Sequence, residues 1–239
     1  MLLTLLGSGD AVGTPKVGCR CPVCTEAVRS GRQRLRTSLL VQHAGKTILV
    51  DSTPDMRRQL LAAGGPVVDA VIWTHGHYDH YTGYGDFYRV QDPPPVYADP
   101  RTLDYAAEYF SFLAFARHPV EPYHPFDLFG ITLTLVEMNH PPVSACGLVL
   151  EHEGFRVGYT SDTLASIPER SRELFAGVDL LFVDGIALPE IRLHKHMNYE
   201  EACRFAETVG AKDFRCVHLS HLIPWEMPHQ GRDMESFEF

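Results

Sequence analysis

His75-Gly76-His77-Tyr78-Asp79-His80 places three imidazoles and one carboxylate within a single short stretch of the chain. The apolar run Ala70-Val-Ile-Trp-Thr74 precedes it and predicts a buried strand that delivers the chain to His75. Imidazoles suit borderline cations such as zinc or manganese, and a carboxylate adds negative charge. On a tight loop rather than a helix, this spacing would direct side chains at two neighbouring cations. The alternative is a polar surface loop that happens to hold three histidines.

Three further candidate ligands each stand shortly after a predicted strand: His140, Asp162 and His218. Loops at strand ends often carry catalytic groups, because the strands hold them on a rigid scaffold. Taken singly, each of these residues would more often be structural. Together with the motif they provide seven ligands, and the sequence therefore predicts a site for two metal ions.

Apolar runs and turn residues outline the remaining elements. Strands are predicted at residues 2–6, 38–43, 46–50, 70–74, 96–97, 131–136, 147–150, 155–160, 178–183 and 214–217. Helices are predicted at residues 54–63, 100–110 and 198–209. Residues 11–36 have the character of a loop, residues 111–125 receive no assignment, and the tail from 224 either covers the site or is disordered. Without an internal repeat or linker, residues 1–239 are expected to form one domain of mixed α/β class.

Composition limits the classes of partner. The chain has 239 residues, 45% of them hydrophobic and 21% charged, as in ordinary globular proteins. Its net charge of −9 disfavours a surface that grips long nucleic acid, so a polynucleotide substrate is not expected. The apolar start is too short for a signal peptide, and no later stretch is long enough to span a membrane. We therefore expect a cytoplasmic protein without membrane contact.

Cys19, Cys21 and Cys24 form a C-x-C-x₂-C cluster in a cysteine-rich loop at about residues 13–30. In a reducing compartment such a cluster indicates metal binding rather than disulfides. Three thiolates need a fourth ligand to complete a tetrahedral zinc site, and His221 is the candidate. Because no coordination position would stay open, the zinc would be structural. The alternative is three reduced cysteines without metal.

Asp51 and Asp184 also follow hydrophobic strands. They are expected to hydrogen-bond ligand imidazoles and so fix their tautomers. Capping of the following turns is the alternative for both residues.

The order His-x-His-x-Asp-His, Asn139-His140, Ser161-Asp162 and His218 resembles the metallo-β-lactamase superfamily. The resemblance implies an αββα four-layer sandwich with two divalent ions, Zn²⁺ or Mn²⁺, at one edge of two packed sheets. It also implies that the first ion is held by His75, His77 and His140, the second by Asp79, His80 and His218, and that Asp162 bridges them.

The opening Gly7-Ser-Gly-Asp-Ala-Val-Gly-Thr-Pro-Lys-Val-Gly-Cys19 and the cluster after it resemble the PhnP-type phosphodiesterases. Those proteins act on a ribosyl cyclic phosphate and carry a cysteine cluster closed by a histidine. The resemblance implies a phosphodiesterase that opens a small cyclic phosphate or phosphodiester with a metal-bridging hydroxide. A histidine before their final helix contacts the phosphate or donates a proton, and His196 matches that place, with His194 as its rival. Asp79 and His196 are thus the candidate catalytic residues.

Other functions remain open. A tRNA 3′-processing nuclease shares the ligands and the histidine before the last helix, but usually carries a basic or Gly/Pro-rich arm that this sequence lacks. A thioester or lactone hydrolase would use the same metals on an acyl carbon. A PqqB-like protein of cofactor biosynthesis or carriage has a similar Cys-rich opening. The expected partner is a small-molecule phosphoester, and the aromatic stretch from Tyr105 to Phe115 would serve as core or as a homodimer contact.

Overall fold

Consecutive apolar residues of the central strands pack on opposite faces of their sheet. The computed structural model describes residues 1–191 and 193–239. Leu3 and Leu5 pack into one buried cluster, whereas Leu6 packs into another. Leu148 and Val149 divide between two clusters in the same way. Since successive side chains point to opposite faces of a strand, these strands are covered on both faces.

In the described ranges, thirteen strands form two sheets. The first contains β1 (Leu2–Gly7), β2 (Ser38–His43), β3 (Lys46–Val50), β4 (Ala70–Ile72), β5 (Val96–Ala98), β6 (Arg117–Pro119) and β13 (Glu235–Glu238). The second contains β7 (Phe126–Leu128), β8 (Ile131–Met138), β9 (Ala145–His152), β10 (Phe155–Tyr159), β11 (Leu180–Asp184) and β12 (Asp213–Val217). Their orders are β13-β1-β2-β3-β4-β5-β6 and β12-β11-β10-β9-β8-β7.

Helices cover the outer faces of both sheets. They are α1 (Pro22–Ser30), α2 (Met56–Ala62), α3 (Tyr78–Tyr81), α4 (Phe87–Val90), α5 (Pro100–Tyr109), α6 (Glu169–Phe175) and α7 (Tyr199–Thr208), with a 3₁₀ turn at Thr82–Asp86. Leu60 of α2 and Leu103 of α5 pack with Trp73 outside the first sheet. Phe175 and Phe205 pack outside the second sheet, and a third cluster lies between the sheets. The predicted αββα sandwich is thus confirmed.

The topology brings several strand ends to one edge. β3 and β4 run parallel in the first sheet, and β10, β11 and β12 run parallel in the second. β8 is antiparallel to β9, which is antiparallel to β10, so β8 shares the direction of β10. A bridge between His75 and Ala145 joins the two sheets at this edge.

The structure corrects several of the predicted elements. Residues 11–36 are not all loop, because Pro22 starts α1 and the Cys21 side chain caps it. The metal motif is not purely a loop, since α3 forms one helical turn within it. The helix predicted from Pro54 begins at Met56. Residues 111–125, which received no assignment, contain β6. Helix α6 was not predicted. The tail after residue 224 contains β13, which pairs with β1.

Within the described ranges, no helix has the length and apolar character needed to cross a bilayer; α5 and α7 have ten residues each. The single-domain organisation remains a prediction.

Candidate metal centre

The seven predicted ligands come together from four strand ends. They form two groups of four ligand atoms, and the atoms of each group lie within 4.8 Å of one another. The first group is His75, His77, His140 and Asp162, and the second is Asp79, His80, Asp162 and His218. Asp162 belongs to both groups, as a bridging carboxylate would.

The spacing of the ligand atoms tests whether a cation fits. His77 Nδ1 lies 3.1 Å from His75 Nε2 and 3.0 Å from His140 Nε2. In the second group, Asp79 Oδ2 lies 3.3 Å from His80 Nε2 and 3.4 Å from His218 Nε2. Ligands about 2.0–2.1 Å from a tetrahedral zinc lie about 3.3 Å from each other. Both groups therefore have dimensions that fit such an ion.

Burial of negative charge points the same way. Asp79 and Asp162 are only 5% and 2% exposed. In the part of the chain that the structure describes, the ion-pair partners of these two carboxylates are all histidines. Asp162 Oδ1 and His80 Nε2 are buried without a hydrogen-bond partner among the described residues. Because buried charges must be paired or bind metal, the donor set fits divalent cations.

The protonation states divide the centre into two halves. Burial lowers the pKa of His75 and His140, and it lowers the pKa of His77 to about 4. These imidazoles are therefore neutral, as metal ligation requires. Burial also disfavours charge on His80 and His218, but the carboxylates of Asp162 and Asp79 and their neighbours together outweigh it and raise both pKa values, that of His218 to about 9. The carboxylates thus stabilise positive charge in the second group. Without a metal ion that charge is a proton on each imidazole, and a bound cation would take its place.

Asp51 makes the contact expected of it. Its Oδ2 accepts a hydrogen bond of 2.7 Å from His80 Nδ1, which directs His80 Nε2 at the second group. Thr74 holds the carboxylate in place through its backbone N–H and its hydroxyl, each at 2.9 Å. His75 Nδ1 lies 3.1 Å from the Thr74 hydroxyl, which also accepts from Ser161 Oγ. One hydrogen-bonded network therefore orients imidazoles of both groups.

We expect Asp51→Asn to weaken metal binding about 10- to 100-fold, because an amide can no longer accept equally from His80 and Thr74. Titration of the metal-free protein with Zn²⁺ or Mn²⁺ measures this. Asp92→Asn, at an exposed aspartate, is the control and should bind metal like the parent. Equal affinities for both variants would leave Asp51 as a turn-capping residue only.

The backbone is strained at three points around the centre. Asp51, Ser161 and His218 have backbone φ values of 60°, 52° and 58°. These values lie in the left-handed region, which residues other than glycine rarely adopt. Strain of this kind persists where the surroundings fix it, and it concentrates at functional sites. Each of these residues follows a strand and turns the chain towards the ligand groups.

His196 lies at the rim of the centre, paired with Asp184. Its Nδ1 donates a hydrogen bond of 2.8 Å to Asp184 Oδ2, which also accepts from the Thr163 N–H. Its ring stacks on His218 with 5.1 Å between centroids. Burial disfavours charge on His196, but Asp184 outweighs it and raises the pKa. The predicted bond from Asp184 to a ligand is not formed, because His218 Nδ1 is 3.9 Å from Oδ1.

The other candidate, His194, is exposed and belongs to none of the ligand clusters found among the described residues. The structure therefore favours His196 as the histidine that faces the centre.

The cysteine cluster also closes in space. Sγ of Cys19, Cys21 and Cys24 and a ring nitrogen of His221 lie within 4.8 Å of one another. His221 Nδ1 is 3.5 Å from Cys19 Sγ and 3.6 Å from Cys21 Sγ, near the roughly 3.6 Å spacing of sulfur and nitrogen ligands on tetrahedral zinc. Burial and nearby Lys16 lower the pKa of His221, which favours the neutral imidazole. The residues fit a zinc ion.

Two residues that position the centre were missed by the sequence analysis. Arg34, 3% exposed, donates to the carbonyls of Ser220, Ile223 and Pro224 and so fixes the loop between His218 and β13. Thr37 accepts a hydrogen bond from the His218 N–H. An arginine or threonine in a loop carries no motif, so only the fold reveals these roles.

Comparison with known proteins places this arrangement in context. Residues 46–219 match the model of the Beta-lactamase superfamily domain. A crystal structure of a diphosphatase from the PhnP family superposes with a TM-score of 0.89 at 31% identity, covering 100% of this chain and 97% of that one. Zn²⁺-bound PqqB from Methylobacterium extorquens has a TM-score of 0.86 at 21% identity, over the full length of both chains, which shows the shared fold.

Two curated relatives extend the comparison. Octanoyltransferase of Porphyromonas gingivalis is 31% identical over 96% of this chain, which spans only 48% of that protein. Coenzyme PQQ synthesis protein B of Methylobacterium nodulans is 31% identical over 80% of this chain and 74% of its own length. Human tRNase Z, short form, shares the fold with a TM-score of 0.73 at 18% identity, covering 100% of this chain and 99% of that one.

Proposed function

This chain belongs to the Beta-lactamase superfamily, and from that premise we propose that it is a metal-dependent phosphodiesterase acting on a small cyclic phosphate or phosphodiester. The observation that carries the proposal is the pair of ligand groups sharing Asp162, with His196 beside them. The same residues would hold the ions: His75, His77 and His140 one, Asp79, His80 and His218 the other. Zn²⁺ or Mn²⁺ suits these donors.

A pair of divalent cations supplies activated water and stabilises the oxygens of an in-line displacement when it is bound. The chain's own residues complete the chemistry. Asp51 and Thr74 hold the imidazoles so that their free nitrogens point inward. In the proposed reaction a water oxygen attacks phosphorus and releases one proton to the solvent, one P–O ester bond breaks, and the departing alkoxide takes a proton from His196. Asp184 positions His196 through Nδ1 and leaves Nε2 for that transfer.

One comparison favours a phosphorus substrate over an acyl substrate, and one feature of the site favours an alkoxide over a thiolate leaving group. The PhnP-family structure with 31% identity is that of a diphosphatase, and this chain covers 97% of it. A proton donor beside the metals matches the need of an alkoxide leaving group. The likeness to human tRNase Z shows the fold alone, so a small rather than a polynucleotide substrate is part of this proposal.

Replacing His196 with alanine tests the acid role through the leaving group. We expect turnover of a dialkyl or cyclic phosphodiester to fall about 10²- to 10⁴-fold, because its alkoxide needs a proton. Hydrolysis of bis-p-nitrophenyl phosphate should fall far less, because p-nitrophenolate leaves without one. Both substrates are assayed with added Zn²⁺ or Mn²⁺, and metal content is measured on the same samples.

His194→Ala is the matched control, because this exposed histidine lies two positions away and outside the clusters. It should retain parental turnover of both substrates. Equal losses for the two leaving groups in His196→Ala would reject the acid role, and loss of metal would make His196 a ligand. Absence of all phosphodiester turnover by the parent, with turnover of thioesters or lactones, would reject the phosphodiesterase itself. No turnover of any class would favour a PqqB-like role.

A further inference from the structure

A small pocket adjoins the metal centre on the side of α5. It is lined by Gly76, Arg101, Thr102, Tyr105, Val143 and Ser144. Gly76 lies between the ligands His75 and His77. Val143 and Ser144 lie in the loop that leads from His140 to β9, and that loop meets the motif through the bridge from His75 to Ala145. Two ligand-bearing loops therefore form part of the wall of the pocket.

Tyr105 lines the pocket beside Gly76, and it is 62% exposed. Its ring lies so close to Gly76 that a Cβ added there would meet ring carbons at 2.6 Å and 3.1 Å. The absence of a side chain at Gly76 thus lets the tyrosine ring lie directly against the metal-binding loop. An exposed aromatic face at this position provides a stacking surface for a planar group.

The size of the pocket matches a single ring. Its volume is about 160 Å³, and most of its accessible lining is apolar. A closed cavity of about 150 Å³ accommodates one benzene molecule, so the pocket is suited to one six-membered ring and too small to enclose two fused rings.

Thr102 adds a polar requirement. The residue is 2% exposed, and its Oγ1 is buried without a hydrogen-bond partner among the described residues. A buried hydroxyl left unpaired is unfavourable, so rotation of the Thr102 side chain towards a ligand with a nitrogen or oxygen on its ring edge would satisfy it. A purely hydrocarbon ring would not.

The charges of the pocket argue against an anionic occupant. Among the described residues Arg101 is the one cation that lines it, and its guanidinium is held in two hydrogen bonds of 3.0 Å by the buried Asp99. Glu137 lies 3.8 Å from the same group. With two carboxylates beside one guanidinium, the described residues of the pocket offer a phosphate no free positive charge.

We propose that this pocket binds a single heteroaromatic ring of the substrate, of pyrimidine size, stacked on Tyr105 and recognised at its edge by Thr102. The proposal rests on the proposed function, because it assigns a specificity site to the same reaction. The ring would be an uncharged substituent of the phosphoester, held beside the reacting phosphorus.

Steady-state kinetics on matched cyclic phosphates test the pocket. The substrates are uridine 2′,3′-cyclic phosphate, adenosine 2′,3′-cyclic phosphate and 1-O-methylribose 2,3-cyclic phosphate, which has no base. We expect kcat/KM to favour uridine over the base-free substrate about tenfold or more, chiefly through KM, as base stacking predicts. Adenosine should lose that advantage, because its double ring exceeds the pocket.

Tyr105→Ala should bring the ratio of uridine to base-free kcat/KM close to one, while Tyr105→Phe should keep most of it. Thr102→Val should also lower the ratio, by the loss of the edge contact. Tyr109→Ala is the matched control: it is an exposed tyrosine one turn further along α5, outside the pocket, and should keep the parental ratio and activity.

The outcomes separate the two proposals. If the parent hydrolyses none of these esters nor bis-p-nitrophenyl phosphate, the proposed function fails. If the parent hydrolyses all of them with a ratio near one, or if Tyr105→Ala leaves a high ratio intact, the pocket assignment is overturned and the phosphodiesterase stands.

Discussion

Asp162→Asn is expected to remove both active-site ions and to reduce phosphodiester turnover at least about 10³-fold, equivalent to about 4 kcal/mol of transition-state stabilisation. Asp162 is the one residue shared by both ligand groups, with Oδ1 3.4 Å from His218 Nε2 and Oδ2 3.6 Å from His75 Nε2. An amide retains the shape of the carboxylate but not its charge. Both groups therefore lose their common anionic ligand at once.

Elemental analysis and kinetics on the same preparation measure this effect. The parent should contain three metal ions per chain, and Asp162→Asn about one, retained at the cysteine cluster. Asp86→Asn, at an exposed aspartate close to the motif in sequence, should keep the parental metal content and turnover. Full metal occupancy in Asp162→Asn would contradict the assignment of a bridging ligand.

The removal of Asp162 also has a predictable electrostatic consequence. Burial acts to lower the pKa of His80 and of His218, but both values are raised overall, and the charge of Asp162 is the largest influence that raises them. Without that charge, both imidazoles should titrate at lower pH. Metal binding by the remaining ligands would then compete less with protons, so any residual binding should be less sensitive to pH than in the parent.

The sequence identified the ligands because their chemistry is local to strand ends. The apolar run before His75 and those before His140, Asp162 and His218 predicted buried strands, and the resemblance supplied the sandwich that brings their ends together. The structure then showed that all of these groups meet. Side-chain type and position after a strand, together with the resemblance, were thus enough to name the residues that meet there.

Groups that act through tertiary contacts were not found in the same way. Arg34 fixes a distant loop by donating to backbone carbonyls, and no residue type marks a carbonyl as a partner. Asp184 was expected to orient a ligand, yet it holds His196 instead, because the chain after β11 places that ring nearer than His218 Nδ1. Such choices depend on distances of about 1 Å, which no sequence pattern specifies.

The sequence analysis missed α1 and β13, because the residue pattern of each segment did not indicate the conformation that it adopts in the folded chain. The cysteine spacing indicated a loop, but Pro22 and the capping side chain of Cys21 begin α1 directly within it. β13 has alternating exposed and half-buried residues and gave no apolar run, yet β1 provides an edge with which it pairs. The pairing partner, rather than the propensity of the segment, decides its conformation.

The cysteine cluster should contribute stability rather than catalysis. Its residues join the N-terminal loop to the loop after β12, since Sγ of Cys19 and Sγ of Cys21 lie within 3.6 Å of His221 Nδ1. Cys19 and His221 are 202 residues apart in the sequence. The link anchors the segment that begins three residues after the ligand His218. A zinc ion there would close a long loop and would bind only the folded chain.

Cys21→Ser should therefore remove one zinc ion per chain while the two active-site ions remain. We expect the loss of about 3–5 kcal/mol of stability, which corresponds to a decrease in Tm of about 10 °C for a chain of this size. Calorimetry with matched elemental analysis measures both quantities. Cys203→Ser is the control, because Cys203 is a free cysteine outside the cluster.

A parental Tm in Cys21→Ser, with unchanged zinc content, would show three reduced cysteines without a structural ion. If zinc is lost but the Tm stays, the cluster binds metal without stabilising the fold. The expected result requires both changes together, because an ion that joined the two loops would also hold the His218 loop against the sheet edge. In that case turnover should survive at low temperature and decline with the unfolding transition, which separates a structural zinc from a catalytic one.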